Sequence, residues 1–277
     1  MIFFPKKKQY RPYVTIEKLV GETPLISLEK LRKNLSIPSN VPLAYAGRLD
    51  PMASGKLLIL MGDECKVQEK YHSFDKEYQV EILLGTSSDT GDVLGLLSSC
   101  EQKFVREKDV CEILDSTTGT IDLPYPHFSS KTVRGKPLHT WTLEGRLSEI
   151  EIPIKTSMLH KLTLDGIRKI SKEEILETVR KKIETIPAVT DERKALGADF
   201  RRDAVRKSWD TFASRNELSF QILSFTCIAS SGTYMRSLAG LIAKELGTCG
   251  LAYSIHRTKI GSYIPIFKDI GFWLRTF

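Results

Sequence analysis

The chain has 277 residues, 41% hydrophobic and 27% charged, which is enough apolar mass for one large core or two small ones. No apolar run approaches the roughly 20 residues of a membrane-spanning helix. Its net charge of +7 is concentrated: residues 1–18 carry five Lys/Arg against one acid, and residues 165–215 carry thirteen against ten. Two basic patches on a neutral body suit a polyanionic partner, because phosphate neutralisation releases counterions. Solvated basic helices give the same pattern, so charge alone leaves both readings open.

The N-terminus, Met1-Ile2-Phe3-Phe4-Pro5-Lys6-Lys7-Lys8, places apolar residues before charges. This reverses the order of a secretory leader, and none is expected. Thr23-Pro24 predicts a helix start, with the threonine as N-cap and proline in the first turn, followed by Leu25, Leu28, Leu31 and Leu35 at helical spacing. Pro38 and Pro42 lead into a turn-rich stretch, Tyr45 to Gly55, and Lys56 to Met61 then reads as a buried strand. Tyr78, Val80 and Ile82 alternate as one face of a half-buried strand. Ser87 to Asp92 is a polar turn, and residues 124–138 read as loop.

Further on, a helical block is expected over about 165–215. Ser171 and Glu174 have capping-box spacing, and Val205, Trp209 and Phe212 are core-like on a stretch carrying Arg201, Arg202, Arg206 and Lys207. Leu218 to Ile228 reads as a strand, and Tyr234 to Leu246 as a helix closed by Gly247. The pattern predicts an α+β protein with a mixed sheet.

The five cysteines (Cys65, Cys100, Cys111, Cys227, Cys249) are odd in number and form no C-x-x-C pair. Neither a disulfide framework nor a zinc site is expected, and a reducing, cytoplasmic setting fits. His72, His127, His139, His160 and His256 lack ligand spacing, and no phosphate-cradling glycine motif occurs. No metal and no cofactor are expected.

Three stretches could carry chemistry. Asp50 sits beside a proline and between glycines, which lets a tight turn present its carboxylate; Asp-Pro is equally a common turn starter. Arg236 falls in the first turn of a helix, where a cation is disfavoured by the helix dipole and calls for an acidic partner. An exposed arginine without a role fits the local sequence as well. Tyr78 at a strand start is either core or a ring facing a planar base.

Together these stretches resemble the TruB family, enzymes that make pseudouridine in the T-stem loop of tRNA. The residues that carry the resemblance are Gly47-Arg48-Leu49-Asp50-Pro51-Met52-Ala53-Ser54-Gly55, then Lys76-Glu77-Tyr78-Gln79-Val80 with Leu84-Gly85 and Asp89-Thr90-Gly91-Asp92, and last Ser230-Ser231-Gly232-Thr233-Tyr234-Met235-Arg236-Ser237-Leu238. It covers roughly residues 15–160 and 217–265. It implies the pseudouridine synthase fold, a mixed, largely antiparallel sheet flanked by helices and loops. It also implies a single catalytic domain over 1–277 and isomerisation of a tRNA uridine, U55 in the T-loop. Asp50 would be the catalytic aspartate and nucleophile, Tyr78 the stacking tyrosine and Arg236 the partner of the aspartate. The target base must leave its stack first.

Two substrate-binding positions depart from or match the family pattern. Tyr45 stands where many relatives have a base-flipping histidine, and Ile255 where they place a bulky apolar residue under the base. Only nineteen residues follow Thr258, so no C-terminal PUA domain is expected, and the basic block at about 165–215 is longer than the family's usual connection. The expectation is that it grips RNA through Arg201, Arg202, Arg206 and Lys207, a packing helix pair being the alternative. A non-catalytic RNA chaperone, a synthase for another RNA and a plain nucleic-acid-binding module are the competing functions. The intact Asp50, Tyr78 and Arg236 argue against the first and last. No membrane partner is expected, and a monomer follows from the absence of a heptad or an exposed apolar stripe.

Overall fold

The computed structural model describes residues 10–186, 201–267 and 270–277. The three consecutive N-terminal lysines therefore lie outside the described residues. The first half of the chain comprises β1 (Tyr13–Lys18), α1 (Pro24–Asn34), β2 (Leu43–Ala46), β3 (Ser54–Met61), α2 (Glu69–His72), β4 (Asp75–Leu84), β5 (Thr86–Ser88), β6 (Leu97–Ser99), α3 (Glu107–Thr117) and β7 (Gly119–Pro124). The second half comprises β8 (Thr132–Val133), β9 (Lys136–Pro137), α4 (Leu138–Leu143), β10 (Ile154–Ser171), α5 (Lys172–Thr185), α6 (Arg202–Ala213), β11 (Ser219–Ala229), α7 (Met235–Glu245), β12 (Gly250–Phe267) and β13 (Ile270–Thr276).

Among the described residues, nine strands form one sheet in the order β1-β3-β12-β4-β11-β10-β7, with β2 on β3 and β13 on β12. Every pairing in it is antiparallel except that of β12 with β3. This is the expected α+β fold with a mixed, largely antiparallel sheet. The helix starts read from sequence hold: Thr23 Oγ1 accepts from Ile26 N at 3.2 Å, and Ser171 Oγ accepts from Glu174 N at 3.1 Å. On β4 the alternation is as expected. Lys76, Tyr78, Val80 and Ile82 are buried on one face, over a core shared with α3, α5, α6 and α7. Each fully buried aliphatic side chain in such a core contributes about 1.5–3 kcal/mol.

Three expectations need correction. The helical block begins at Lys172, because residues 165–171 continue β10. Bulges against β11 at Leu159/Lys161 and Leu164/Gly166 break the two-residue alternation that would have marked the strand. Second, Cys100 and Cys249 form a disulfide, 149 residues apart in sequence, while Cys65, Cys111 and Cys227 are free. Spacing cannot reveal a pair that the fold brings together at the ends of β6 and β12, and the reducing-compartment reading loses its cysteine argument.

Third, an exposed apolar stripe does exist. Ile264 and Ile266 on β12 and Ile270, Phe272 and Leu274 on β13 are all exposed, and Ile264 pairs with Phe272. The argument for a monomer therefore loses that support. No helix among the described residues is long and apolar enough to cross a membrane.

Candidate active site

The parallel pairing of β12 with β3 sets Arg257 beside Gly55, at the exit of the Asp50 turn. Gly55 has φ +111°, and a Cβ there would lie 2.3 Å from the Arg257 carbonyl oxygen. Only glycine fits. Gly55→Ala is expected to lose about 1–3 kcal/mol through left-handed strain, with steric displacement of β12 added, as read by urea unfolding.

The same Arg257 is 1% exposed. Its guanidinium donates to the carbonyls of Lys56 (2.7 Å), Arg48 (3.2 Å) and Gly47 (3.3 Å). Lys18 Nζ donates to Ala53 O at 2.5 Å, and Gly21 N to Pro51 O at 2.8 Å. The turn that carries Asp50 is thus tied down from both sides by buried donors. Lys76, on the floor beside it, donates to Phe74 O at 2.5 Å and to Ser231 Oγ at 3.1 Å. Burial pushes both lysines down to about 8.

Asp50 itself stays open, its side chain 38% exposed, while the Arg236 side chain is 4% exposed. Arg236 Nε donates to Asp50 Oδ2 at 2.7 Å, Nη1 to Thr90 O at 2.6 Å and Nη2 to Phe128 O at 3.2 Å. Asp92 Oδ2 lies 3.7 Å from Arg236 Nε. Burial alone would lower the Arg236 pKa. Asp50 and Asp92 more than offset this and hold it above its ordinary value. Burial pushes the Asp92 carboxyl up, opposed by Arg236, and its Oδ1 accepts from Thr90 Oγ1 (2.7 Å) and Leu94 N (2.9 Å). The acidic partner that a first-turn arginine calls for is therefore a pair of carboxylates, one buried and one facing solvent.

Around Asp50 opens a cleft of about 1090 Å³, at the upper end of the roughly 300–1,000 Å³ of small-molecule pockets. Asp50, Tyr78, Arg236, Tyr45 and Ile255 all line it, and so does Arg201. Tyr78 and Ile255 are buried neighbours on β4 and β12, with Tyr78 opposite Arg257 and Ile255 opposite Val80. Burial raises the Tyr78 phenol, with Arg257 opposing. A phenol raised in this way is a poor base at neutral pH, and what it offers is the face of its ring. Tyr45, on β2, is partly exposed at the rim.

A family model described as TruB family pseudouridylate synthase (N terminal domain) matches residues 38–185, just over half of the chain. The chain belongs to the TruB family. Similar proteins include a tRNA pseudouridine synthase B of Bacillus cereus, 28% identical over 253 residues, which are 91% of this chain and 66% of the relative. Another is that of Caldicellulosiruptor saccharolyticus, 25% identical over 248 residues, 90% of this chain and 67% of the relative. The chain thus spans about two thirds of the length of the curated relatives it matches. In fold it is similar to a chain in the crystal structure of a Cbf5-Nop10-Gar1 complex, with a TM-score of 0.54 at 15% identity, covering 90% of this chain and 48% of that one. A chain in an H/ACA RNP bound to a substrate RNA containing 2'-deoxyuridine gives a TM-score of 0.51 at 14% identity, with coverages of 90% and 47%.

Within this TruB frame the five cleft residues named from sequence come together, and the four basic residues named from the block at about 165–215 do not form one outward face. Arg201 pairs with Asp89 (2.5 Å), Arg206 with Glu184 (2.7 Å) and Asp203 (2.9 Å), and Arg202 donates to the Ile186 carbonyl. Lys207 is exposed. The sequence assigned no role to Lys18, Lys76, Asp92 and Arg257, although Lys76 and Asp92 stand within the stretches that carry the resemblance. Their shared sequence signal is the oddity of charged residues on strands or turns whose neighbours are apolar, since charges are rarely buried without partners.

Proposed function

We propose that this protein isomerises a uridine in the T-stem loop of tRNA to pseudouridine. The observation that carries the reading is a solvent-open aspartate held at 2.7 Å by a buried arginine, in a cleft walled by an aromatic ring and an aliphatic side chain. The target uridine leaves its stack and enters the cleft between Tyr78 and Ile255. As the N1–C1′ bond breaks, Asp50 takes up C1′. The freed uracil rotates against the Tyr78 ring, C5 attacks C1′ as the Asp50–C1′ bond breaks and releases the carboxylate, the C5 proton passes to solvent and N1 takes one from solvent. Atoms balance without a co-reactant.

Arg236 aims the carboxylate throughout, and its two other hydrogen-bond acceptors are backbone carbonyls that do not compete for the substrate. Tyr45 meets the base or its neighbour at the rim by stacking. Of the four basic residues named from the block at about 165–215, Lys207 faces outward and is the one that meets the RNA backbone.

Because C5–H is lost only when the new glycosidic bond is complete, tritium release from tRNA transcribed with 5-tritiated uridine reads the reaction directly. One equivalent released per tRNA is expected. Release from no position of a tRNA that nevertheless binds would favour the chaperone reading.

A further inference from the structure

The insertion contributes a residue to the cleft wall whose partners lie on two of the segments that Arg236 holds. Arg201 heads α6 in the left-handed conformation, φ +54°. A non-glycine residue persists there only when its surroundings over-determine it. Its guanidinium forks onto Asp89 at 2.5 and 3.1 Å and lies 4.3 Å from the centroid of the Phe128 ring. Its side chain is 20% exposed. Asp89 in turn closes its own loop, accepting from Leu96 N at 2.8 Å.

The residue after Asp89 is Thr90, whose carbonyl accepts from Arg236 Nη1, and the Phe128 carbonyl accepts from Arg236 Nη2. One arginine therefore grips the two segments on which the other depends. The rest of α6 braces the same hairpin. Trp209, 1% exposed, donates through Nε1 to Val93 O at 3.0 Å, and Ser208 Oγ accepts from Leu97 N at 2.8 Å.

The geometry points to Arg201 as a positioning residue for the isomerisation. By clamping Asp89 to Phe128 it fixes the Thr90 and Phe128 carbonyls that aim Arg236 at Asp50. The insertion then acts on the chemical step more than on RNA affinity. A guanidinium already neutralised by a forked carboxylate and covered on one face by a ring has little left for a phosphate. The inference rests on the proposed uridine isomerisation for its kinetic meaning. A lysine in place of Arg201 keeps the charge and loses both the fork and the stack.

Two measurements test it. On tRNA, Arg201→Ala and Arg201→Lys are both expected to lower kcat about tenfold or more, the size of effect that misplacing a supporting group produces. KM, RNA affinity and the salt slope of binding stay near wild type. Arg201→Ala combined with Asp89→Ala loses no more than Arg201→Ala alone, since the two act as a unit. If instead Arg201→Ala weakened binding with a shallower salt slope at unchanged kcat, and lysine restored it, Arg201 would be a phosphate contact and the proposal would fail.

Without RNA, the Arg236 Nε–H resonance is expected to exchange with solvent faster in Arg201→Ala than in wild type, at temperatures where both are folded. Arg201→Gln serves if the alanine variant does not fold. Unchanged exchange overturns the clamp even if the enzyme is active. A wild type inactive on every tRNA sinks the functional reading while the exchange result still decides the clamp.

Discussion

Asp50→Asn is expected to lower turnover on tRNA by about 10³-fold or more, equivalent to ~4 kcal/mol of transition-state stabilisation, while tRNA binds nearly as well as to wild type. The asparagine carbonyl still accepts from Arg236 Nε, so the turn, its anchors at Lys18 and Arg257 and the cleft walls keep their partners. What disappears is the negative charge and the nucleophilic oxygen at C1′. Binding arises elsewhere, from the cleft aromatics and the basic surface, so KM moves little, and a loss confined to kcat marks an interaction made only in the reacting state. Single-turnover rates beside filter binding separate the two. A variant that binds tenfold more weakly yet turns over normally would place Asp50 in recognition only.

Arg236→Ala is expected to damage both stability and rate. Removal of the guanidinium leaves the buried Asp92 carboxylate with its donors Thr90 Oγ1 and Leu94 N but without its cationic partner, and takes a donor from Thr90 O and Phe128 O. Breaking a buried ion pair from one side costs about 3–5 kcal/mol. Asp50 is more than a third exposed and partly rescued by water, so about 2–4 kcal/mol is expected here. The pH dependence of the loss follows from the same residues. Burial already raises Asp92 above its ordinary value, and without Arg236 it rises further.

A carboxyl raised in the folded state contributes stability that is fully present below its unfolded value and is lost as pH rises through the folded one. The deficit of Arg236→Ala against wild type is therefore smallest in mild acid and grows toward neutrality, a trend that urea midpoints over a pH series will show. Turnover falls by about 10²-fold or more, as when a preorganised electrostatic partner is removed. Arg236→Lys recovers little, because one ammonium cannot serve a carboxylate and two diverging carbonyls together.

What the sequence made legible was local. The Asp50 turn, the alternation on β4 and the helix α7 with its closing Gly247 are each signalled within a short stretch, and the helix-start signals at Thr23 and Ser171 act within three residues. The need for an acid beside Arg236 was also readable, since a first-turn cation works against the helix dipole.

The rest depends on distance in the chain. Strand β12 was not apparent because bulges at Ala252/Ser254 and Arg257/Lys259 interrupt its alternation, as they do on β10. Arg257 serves the Asp50 turn through carbonyls more than two hundred positions away, and backbone acceptors leave no mark on the side-chain sequence. The Cys100–Cys249 link spans 149 positions. Arg201 read as one of four like charges on a basic stretch. Only the fold distinguishes it, by setting it against Asp89 and Phe128.

Whether Asp50 catalyses uridine isomerisation in tRNA is read directly by carbodiimide-dependent primer-extension mapping. Unmodified tRNA is incubated in parallel with wild type and Asp50→Ala. One stop in the T-loop is expected with wild type and none with the variant, both proteins binding the RNA. A stop that persists with Asp50→Ala, or no stop anywhere with a wild type that binds tightly, would contradict that catalysis.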